Sequence, residues 1–390
     1  MSDPSRYASP TELIYGPGSI QKLGAEVKRL GGSNVLIVTD AGLAAAGVAG
    51  KAESAVRDAG LPVTMWANAP MDPTFDDVDT IVAAVREAGA DTVVSVGSGS
   101  VLAAGRSAAV AATHEGSSSA IAGVNKSTEP PLLSICVPTT AGSGGEVSRQ
   151  ATITSADGHK SGIQGWSVAA RLAILDADLL ASVPRRQVVA SGIDALTHSL
   201  EAYVSRRANP MTDALALPSF EVLFRDTPPA TESADTDRND GLLLASAMAN
   251  LACGNAGLGL VHGLNKGLTY LFHAKDYPAL SYGELHAVLL PWVCEFNVPA
   301  APGRFAQLAI AMGVEATGDD TETARLGVDK LKEWLAGMDA PRRLPWETYE
   351  SADLEVAVAD VLGRQMALDN PRESTAEDLR SILEQCVTGW

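Results

Sequence analysis

The chain has 390 residues, of which 46% are hydrophobic and 19% charged, so its composition is that of a globular protein. Its formal net charge of −18 argues against nucleic acid as a partner, because phosphates would be repelled. The length favours two domains. The four cysteines are scattered, which favours free thiols in a reducing cytoplasm. Neither a signal peptide nor a membrane-spanning run is expected.

Short β-branched runs alternate with helical stretches in the first half of the chain. Strands are predicted at residues 34–39, 62–67, 91–96 and 132–138. A helix is predicted at 41–60, and another at 74–90, where a threonine cap and an acidic first turn precede helically spaced apolar residues. Strands that alternate with helices predict a parallel, doubly wound sheet.

The pattern changes near residue 185, after which successive helices are predicted. The apolar run 241–261 is interrupted by Gly, Asn and Ser, which favours a buried helix pair, and the acidic, proline-containing segment 226–240 is predicted to be an exposed loop. We therefore predict an α/β dinucleotide-binding domain at 1–186 and an all-α domain at 187–390. Ligands are expected in the cleft between them, a common location for binding sites.

Two small-residue loops follow neighbouring predicted strands. Gly97 and Gly99 stand at the mouth of a helix, where free N–H groups can hold a pyrophosphate, although Leu102 replaces the third glycine of a GxGxxG motif. The hydroxyl-rich loop 137–148 lies at the same sheet edge, and together the loops favour a dinucleotide over ordinary connections. Asp40 ends the first predicted strand, where it either binds a ribose 2′-OH or caps a helix.

Asp194 and His198 are four residues apart, so they share one face of a predicted helix that starts near Ser191 and Asp194. His262 ends a strongly apolar stretch further along the chain. A carboxylate with imidazoles suits a divalent metal. The alternative is that Asp194 caps the helix and the histidines are hydrogen-bonded core residues.

The order of these segments resembles the iron-containing (group III) alcohol dehydrogenase family. The similarity runs over nearly the whole chain and rests most on DALTHSLEAYVS and PTTAGSGGEV. The resemblance implies the dehydroquinate synthase-like architecture, with an NAD(P)-binding α/β domain and a helical metal-binding domain. It also implies hydride transfer to or from a primary alcohol or aldehyde, in a cytoplasmic homodimer that binds neither nucleic acid nor membrane.

The resemblance assigns roles residue by residue. It favours NAD over NADP, and it implies a cofactor site made of Asp40, Gly97, Ser98, Gly99, Ser100, Thr139, Thr140, Ser143 and Lys160. It also implies three metal ligands, Asp194, His198 and His262. Fe²⁺ or Zn²⁺ is the expected metal, and Mn²⁺ also fits this donor set.

The chain departs from the family pattern mainly on the metal side. Tyr282 stands where the family has its fourth ligand, and Lys266 replaces a histidine often found near the substrate. An insertion, placed at 272–277, precedes Tyr282 and carries His273, a possible replacement ligand. We predict Tyr282, Lys266 and His286 as catalytic residues. His286 is expected to lie beside the metal ligands. Because it follows Tyr282 by one helical turn, it could instead complete the metal site itself.

Three functions fit this pattern. The first is an NAD-dependent alcohol dehydrogenase or aldehyde reductase assisted by a divalent metal. The second keeps the fold but works without metal, with Tyr282 or Lys266 as proton donor, or uses NAD without net redox, as dehydroquinate synthases do. The third is a nucleotide-binding protein without catalysis.

The predicted helix that begins at Gly97 and Gly99 also departs from the family pattern. Ala103, Gly105 and Arg106 stand where the family has an Asp and an Ala-Lys pair. Arg106, like Lys266, indicates either an anionic group on the substrate or a surface charge.

Overall fold

The computed structural model describes residues 6–181, 183–233, 235–275, 277–346 and 349–390. These residues form two compact units. The sheet unit contains residues 9–181, 183 and 235–247, and the helical unit contains residues 6–8, Pro184–Ser233 and the described part of Met248–Trp390. Asp276, in the predicted insertion, lies outside the described residues.

Two sheets form the centre of the sheet unit. Its strands are β1 (Glu12–Tyr15), β2 (Val35–Val38), β3 (Val63–Trp66), β4 (Thr92–Gly97), β5 (Gly123–Val124), β6 (Leu133–Pro138), β7 (Gln150–Thr154), β8 (Lys160–Gln164) and β9 (Leu172–Leu175). The larger sheet has the order β1-β9-β6-β4-β2-β3 with parallel pairing, and β5-β8-β7 form the smaller one. The predicted parallel sheet is confirmed, and β2, β3, β4 and β6 lie at the predicted places.

The helices of the sheet unit are α1 (Leu23–Arg29), α2 (Ala41–Ala45), α3 (Val48–Asp58), α4 (Phe75–Ala88) and α5 (Gly99–Ala111). The single helix predicted at 41–60 is wrong. Gly47 has a φ of 75°, a left-handed conformation that glycine adopts at little cost, and it separates α2 from α3.

Helix α5 lies directly on strand β4. At Gly105 a Cβ atom would clash with the Ser95 hydroxyl, so only glycine permits this approach. All four residues of β2 and all six of β4 are buried, as expected for central strands covered on both faces. The close contact keeps the start of α5 at the carboxyl end of β4.

The helical unit confirms the predicted succession of helices. Helix α8 belongs partly to each unit, and the series is α6 (Arg185–Val204), α7 (Pro210–Ala230), α8 (Thr236–Ala256), α9 (Leu260–Lys275), α10 (Tyr282–Asn297), α11 (Pro302–Ala311), α12 (Asp320–Gly337), α13 (Ser351–Leu362), α14 (Gln365–Asp369) and α15 (Ala376–Thr388).

The exposed loop predicted at 226–240 is wrong for most of its length, because α7 continues to Ala230 and α8 begins at Thr236. Pro228 and Pro229 lie in the last turn of α7. Thr227 is fully buried against Gly192 of α6, where a Cβ atom would clash with its side chain. This packing holds the end of α7 despite its prolines.

Across the described residues, no single helix is long and apolar enough to cross a membrane. Only taken together are helices α8 and α9 long and apolar enough, judged by length and composition alone, and the two are bent by 93° relative to each other. Leu242, Leu251 and Leu264 of this pair are buried, as in the predicted buried helix pair.

Replacement of Thr74 by alanine tests the start of α4. Thr74 and Asp77 form a reciprocal capping box, in which the Thr74 hydroxyl also donates to the Asp77 carboxylate at 2.6 Å. We expect Thr74→Ala to lower the free energy of unfolding by about 1 kcal/mol, measured by urea titration. Thr80→Ala, on the exposed face of the same helix, is the control and is expected to change it by less than about 0.5 kcal/mol. Equal effects of the two variants would contradict the role of the cap.

Candidate functional site

Three side chains that carry chemistry lie along one buried face of α6. They are Asp194, His198 and Glu201, spaced by four and three residues, which places them on one side of the helix. The helix begins at Arg185, so the prediction that it starts near Ser191 and Asp194 is wrong. Asp194 lies in the middle of the helix, and its carboxylate is available for another role.

The first turn of α10 is held tightly by α6 and α9. At Gly283 a Cβ atom would clash with the carbonyl oxygen of Ala190 in α6, so the two backbones are in contact. Asn265 of α9, which is fully buried, donates from Nδ2 to the carbonyl oxygen of Tyr282 at 2.8 Å. His286, one turn further along α10, is therefore carried toward the inner face of α6.

Asp194, His262 and His286 form a compact group of potential ligands, whose donor atoms all lie within 4.8 Å of one another. Asp194 Oδ1 is 3.2 Å from His286 Nδ1 and 3.7 Å from His262 Nε2. His198 lies just outside this group: its Nε2 is 3.9 Å from Asp194 Oδ1, and its ring stacks on His262 with centroids 4.6 Å apart. The structure thus brings together all three predicted ligands and adds His286.

Several polar atoms of this cluster are buried without a hydrogen-bond partner among the described residues. They are Asp194 Oδ1, His198 Nδ1, His262 Nε2 and both ring nitrogens of His286. Leaving such an atom unsatisfied costs about 1–3 kcal/mol. A divalent cation would satisfy Asp194 Oδ1, His262 Nε2 and one ring nitrogen of His286 together, since carboxylate oxygen and imidazole nitrogen are ordinary ligands of Fe²⁺ and Zn²⁺. The residues present therefore fit a metal.

Glu201 fixes the orientation of the His262 ring. Its Oε2 accepts from His262 Nδ1 at 2.7 Å, and its Oε1 accepts from the backbone N–H of Val261, also at 2.7 Å. Because Nδ1 is used in this way, Nε2 is the atom that faces Asp194. Glu201 was not predicted as a site residue, although it continues the helical face of Asp194 and His198.

Burial and mutual charge set the protonation of the cluster. Burial lowers the pKa of His198 to about 4, and burial together with His262 lowers the pKa of His286. Burial opposes ionisation of Asp194, but the three histidines hold its pKa well below the usual range. His198 and His286 are therefore neutral, the state that binds a metal, whereas for His262 burial is outweighed by the Glu201 and Asp194 carboxylates, which raise the pKa to about 9, so this imidazole must lose its proton when a metal binds.

Tyr282 and Lys266 lie near this cluster. The Tyr282 ring centroid is 4.8 Å from that of His286 and 6.0 Å from that of His262, and 36% of the residue is exposed. Burial of the hydroxyl and the nearby carboxylates raise the pKa of Tyr282, so this phenol is neutral. Lys266 is buried one helical turn after His262, whereas His273 is exposed near the end of α9.

In the sheet unit, the two small-residue loops meet. Ser98 precedes α5, and a Cβ atom at Gly99 would lie 2.6 Å from the Ser143 hydroxyl. The backbone N–H of Thr139 donates to the carbonyl oxygen of Gly97 at 3.1 Å. Ser100 donates to the carbonyl oxygen of Met71, and Thr140 follows Thr139 in the second loop.

Asp40 and Lys160 have structural partners in the same unit. Asp40 caps α2 by accepting a hydrogen bond from the backbone N–H of Leu43 at 2.9 Å. A helix cap is one of the two roles that the sequence suggested for Asp40. Lys160 forms an ion pair with Asp72 and donates to the Thr154 hydroxyl at 2.9 Å.

Arg106 neither lies on the surface nor faces a substrate group. It is 1% exposed, and its guanidinium donates to backbone carbonyl oxygens inside the sheet unit. Both interpretations that the sequence suggested for this charge are therefore wrong.

The chain is similar to known proteins over almost its entire length. A family model for iron-containing alcohol dehydrogenase matches residues 10–177, and a model for the C-terminal part of the Fe-containing alcohol dehydrogenase family matches residues 188–387. The chain is 32% identical over 384 residues to 1,3-propanediol dehydrogenase of Citrobacter freundii, covering 97% of this chain and 98% of that protein.

Two further relatives extend this comparison. NAD-dependent methanol dehydrogenase of Bacillus methanolicus is 29% identical over 381 residues, which cover 97% of this chain and 98% of that protein. The crystal structure of a 1,3-propanediol oxidoreductase superimposes with a TM-score of 0.92 at 31% identity, covering 98% of this chain and 100% of that chain.

Glu201→Gln tests the contact that orients His262. An amide holds the ring less strongly than a carboxylate and also permits the wrong tautomer, so we expect the dissociation constant for Zn²⁺ to rise about 10- to 100-fold. The measurement is chelator competition on the metal-free protein. Glu295→Gln, an exposed position on α10 that pairs with Lys332, is the control and should leave Zn²⁺ affinity unchanged. Unaltered affinity in Glu201→Gln would refute the orienting role.

Proposed function

Because this chain belongs to the iron-containing alcohol dehydrogenase family and is therefore an oxidoreductase, we propose that it transfers a hydride between NAD(H) and a primary alcohol or the corresponding aldehyde. The observation that carries this proposal is the compact group of Asp194, His262 and His286 with its unsatisfied donor atoms. The name of the Bacillus methanolicus relative supports NAD as the cofactor.

We assign the missing fourth ligand of the family pattern to His286 and not to Tyr282. The His286 ring is fully buried with Nδ1 3.2 Å from Asp194 Oδ1, whereas Tyr282 is 36% exposed and its ring stands edge-on to that of His286. The proposed ligands are thus Asp194, His198 and His262, which match the family pattern, with His286 as the fourth. Fe²⁺ and Zn²⁺ both suit this set, and either would act as a Lewis acid on the substrate oxygen.

The remaining chemistry is the movement of one hydride and one proton. Oxidation of the alcohol would break its C–H bond, with the hydride passing to NAD⁺, and the hydroxyl proton would have to pass to solvent water. Tyr282, a neutral phenol beside the ligand cluster and 36% exposed, is proposed to accept a hydrogen bond from the substrate hydroxyl and to relay its proton to water, and the same relay returns a proton in the reverse direction. Lys266, one turn after His262, is proposed to face the substrate.

The cofactor is proposed to bind at the two loops of the sheet unit. Gly97 at the end of β4 and Ser98, Gly99 and Ser100 at the start of α5 are proposed to bind the pyrophosphate through their backbone, and Thr139, Thr140 and Ser143 to offer hydroxyl groups beside them. Lys160 and Asp40 complete the proposed site. The domain boundary at residue 186, the homodimer and the cytoplasmic location also remain predictions.

Asp40→Asn tests the basis of the NAD preference. Asparagine keeps the helix cap but removes the negative charge that would repel a 2′-phosphate. We expect the ratio of kcat/KM for NADP to that for NAD to rise about tenfold or more, because like charges brought together cost several kcal/mol. Steady-state kinetics with both cofactors measure this ratio. An unchanged ratio, with the protein equally stable, would exclude Asp40 from the selection of the cofactor.

His286→Ala and Tyr282→Phe distinguish the two candidates for the missing ligand. We expect His286→Ala to bind Zn²⁺ or Fe²⁺ at least about tenfold more weakly, because one ligand is lost, and Tyr282→Phe to keep the metal but lose activity. Elemental analysis and chelator competition measure the metal, and NADH consumption with a panel of aldehydes measures activity. Normal metal binding by His286→Ala would refute its role, and full activity of the metal-free protein would favour the metal-independent alternative.

A further inference from the structure

Helix α5 runs beside the second cofactor loop, residues 139–148, and contacts it at successive turns. At the first turn, a Cβ atom on Gly99 would lie 2.6 Å from the Ser143 hydroxyl. One turn later, a Cβ atom on Gly145 would lie 3.6 Å from Leu102 Cδ1, which is ordinary packing distance. The helix therefore acts as a support for the loop along its length.

Arg106 makes the third contact, at the point where the loop ends. Its Nη1 donates to the carbonyl oxygens of Ser148 at 2.6 Å and Val168 at 3.2 Å, and its Nη2 donates to that of Gln150 at 2.9 Å. Its Nε donates to the carbonyl oxygen of Leu102 in its own helix at 3.2 Å. One guanidinium thus joins α5 to the loop exit, to β7 and to the segment before β9.

The geometry of this contact suits an arginine. A buried cation is costly unless its donors are satisfied, and here backbone carbonyls satisfy the planar fork from several directions. The nearby Glu146 is also buried, and burial raises its pKa to about 7, which makes it a weak counter-charge near neutral pH. A lysine, which the family pattern has at this position, presents its three N–H donors from one nitrogen, so it does not reproduce the separated bonds of the fork.

We propose that Arg106 is a positioning residue for cofactor binding. By fixing Ser148 and Gln150 to α5, it holds the exit of the 139–148 loop so that Ser143 stays against Gly99. The loop then enters the complex already ordered, and no binding energy is lost in ordering it. This inference rests on the proposed cofactor site at the two loops.

Arg106→Lys and Arg106→Met are the test variants, and NADH affinity is measured by fluorescence titration of the intact protein. We expect the dissociation constant for NADH to rise about tenfold or more in both, because lysine keeps the charge but loses the fork. The dissociation constant for Zn²⁺, which depends on residues of the helical unit, should stay unchanged. Hydrogen exchange of the 139–150 backbone without cofactor should become faster.

Val56→Ala is the matched control, since it removes buried apolar contacts of α3 in the same unit without contacting the loop. It should lower Tm and leave the dissociation constant for NADH unchanged. Wild-type NADH affinity in Arg106→Lys, or an equal loss of affinity in Val56→Ala, would overturn the positioning role. Failure of the unmodified protein to bind NADH is a different result, which would overturn the proposed cofactor site itself.

Discussion

The backbone contact between α10 and α6 at Gly283 is the constraint on which the cluster of Asp194, His262 and His286 depends. Without a Cβ atom at this position, the first turn of α10 touches the carbonyl oxygen of Ala190, and Arg186 secures the approach through paired hydrogen bonds to Glu284 at 2.7 and 3.0 Å. Because a helix is rigid over one turn, the position of His286 follows from this contact. Its distance to Asp194 is therefore a property of how two helices pack.

Electrostatics and packing support each other in this cluster. Burying a carboxylate with three imidazoles is unfavourable unless the polar atoms find partners, and among the described residues Nδ1 of His262 has a strong one, the carboxylate of Glu201. Asp194, His262 and His286 each present a ligand atom to the others within 4.8 Å. A structural histidine cluster would pair these atoms with backbone groups, so the arrangement favours a bound cation over the alternative of an ordinary polar core.

Local patterns predicted much of the fold and part of the site. The parallel sheet follows from alternating β-branched and helical runs, and Asp194 and His198 share a face because they are four residues apart. Features that depend on distant residues could not be predicted in this way. The end of α7 is helical because Thr227 packs against Gly192, and Arg106 is buried because carbonyls remote in the sequence surround it. The approach of His286 to Asp194 likewise depends on residues that are distant in the sequence.

The two parts of the active machinery differ in how much substitution they tolerate. Where the two loops meet, bare backbone makes the close contact, and a Cβ atom at Gly99 would clash with the Ser143 side chain. At the metal site, side chains make the contacts, and positions one turn apart on α10 face the same way. In the proposed ligand set, a ligand missing at position 282 is therefore supplied from position 286 without moving the helix. The proposed site combines two different constraints: the ligating groups of a carboxylate and imidazoles can be redistributed over a helix face, but a close backbone approach cannot.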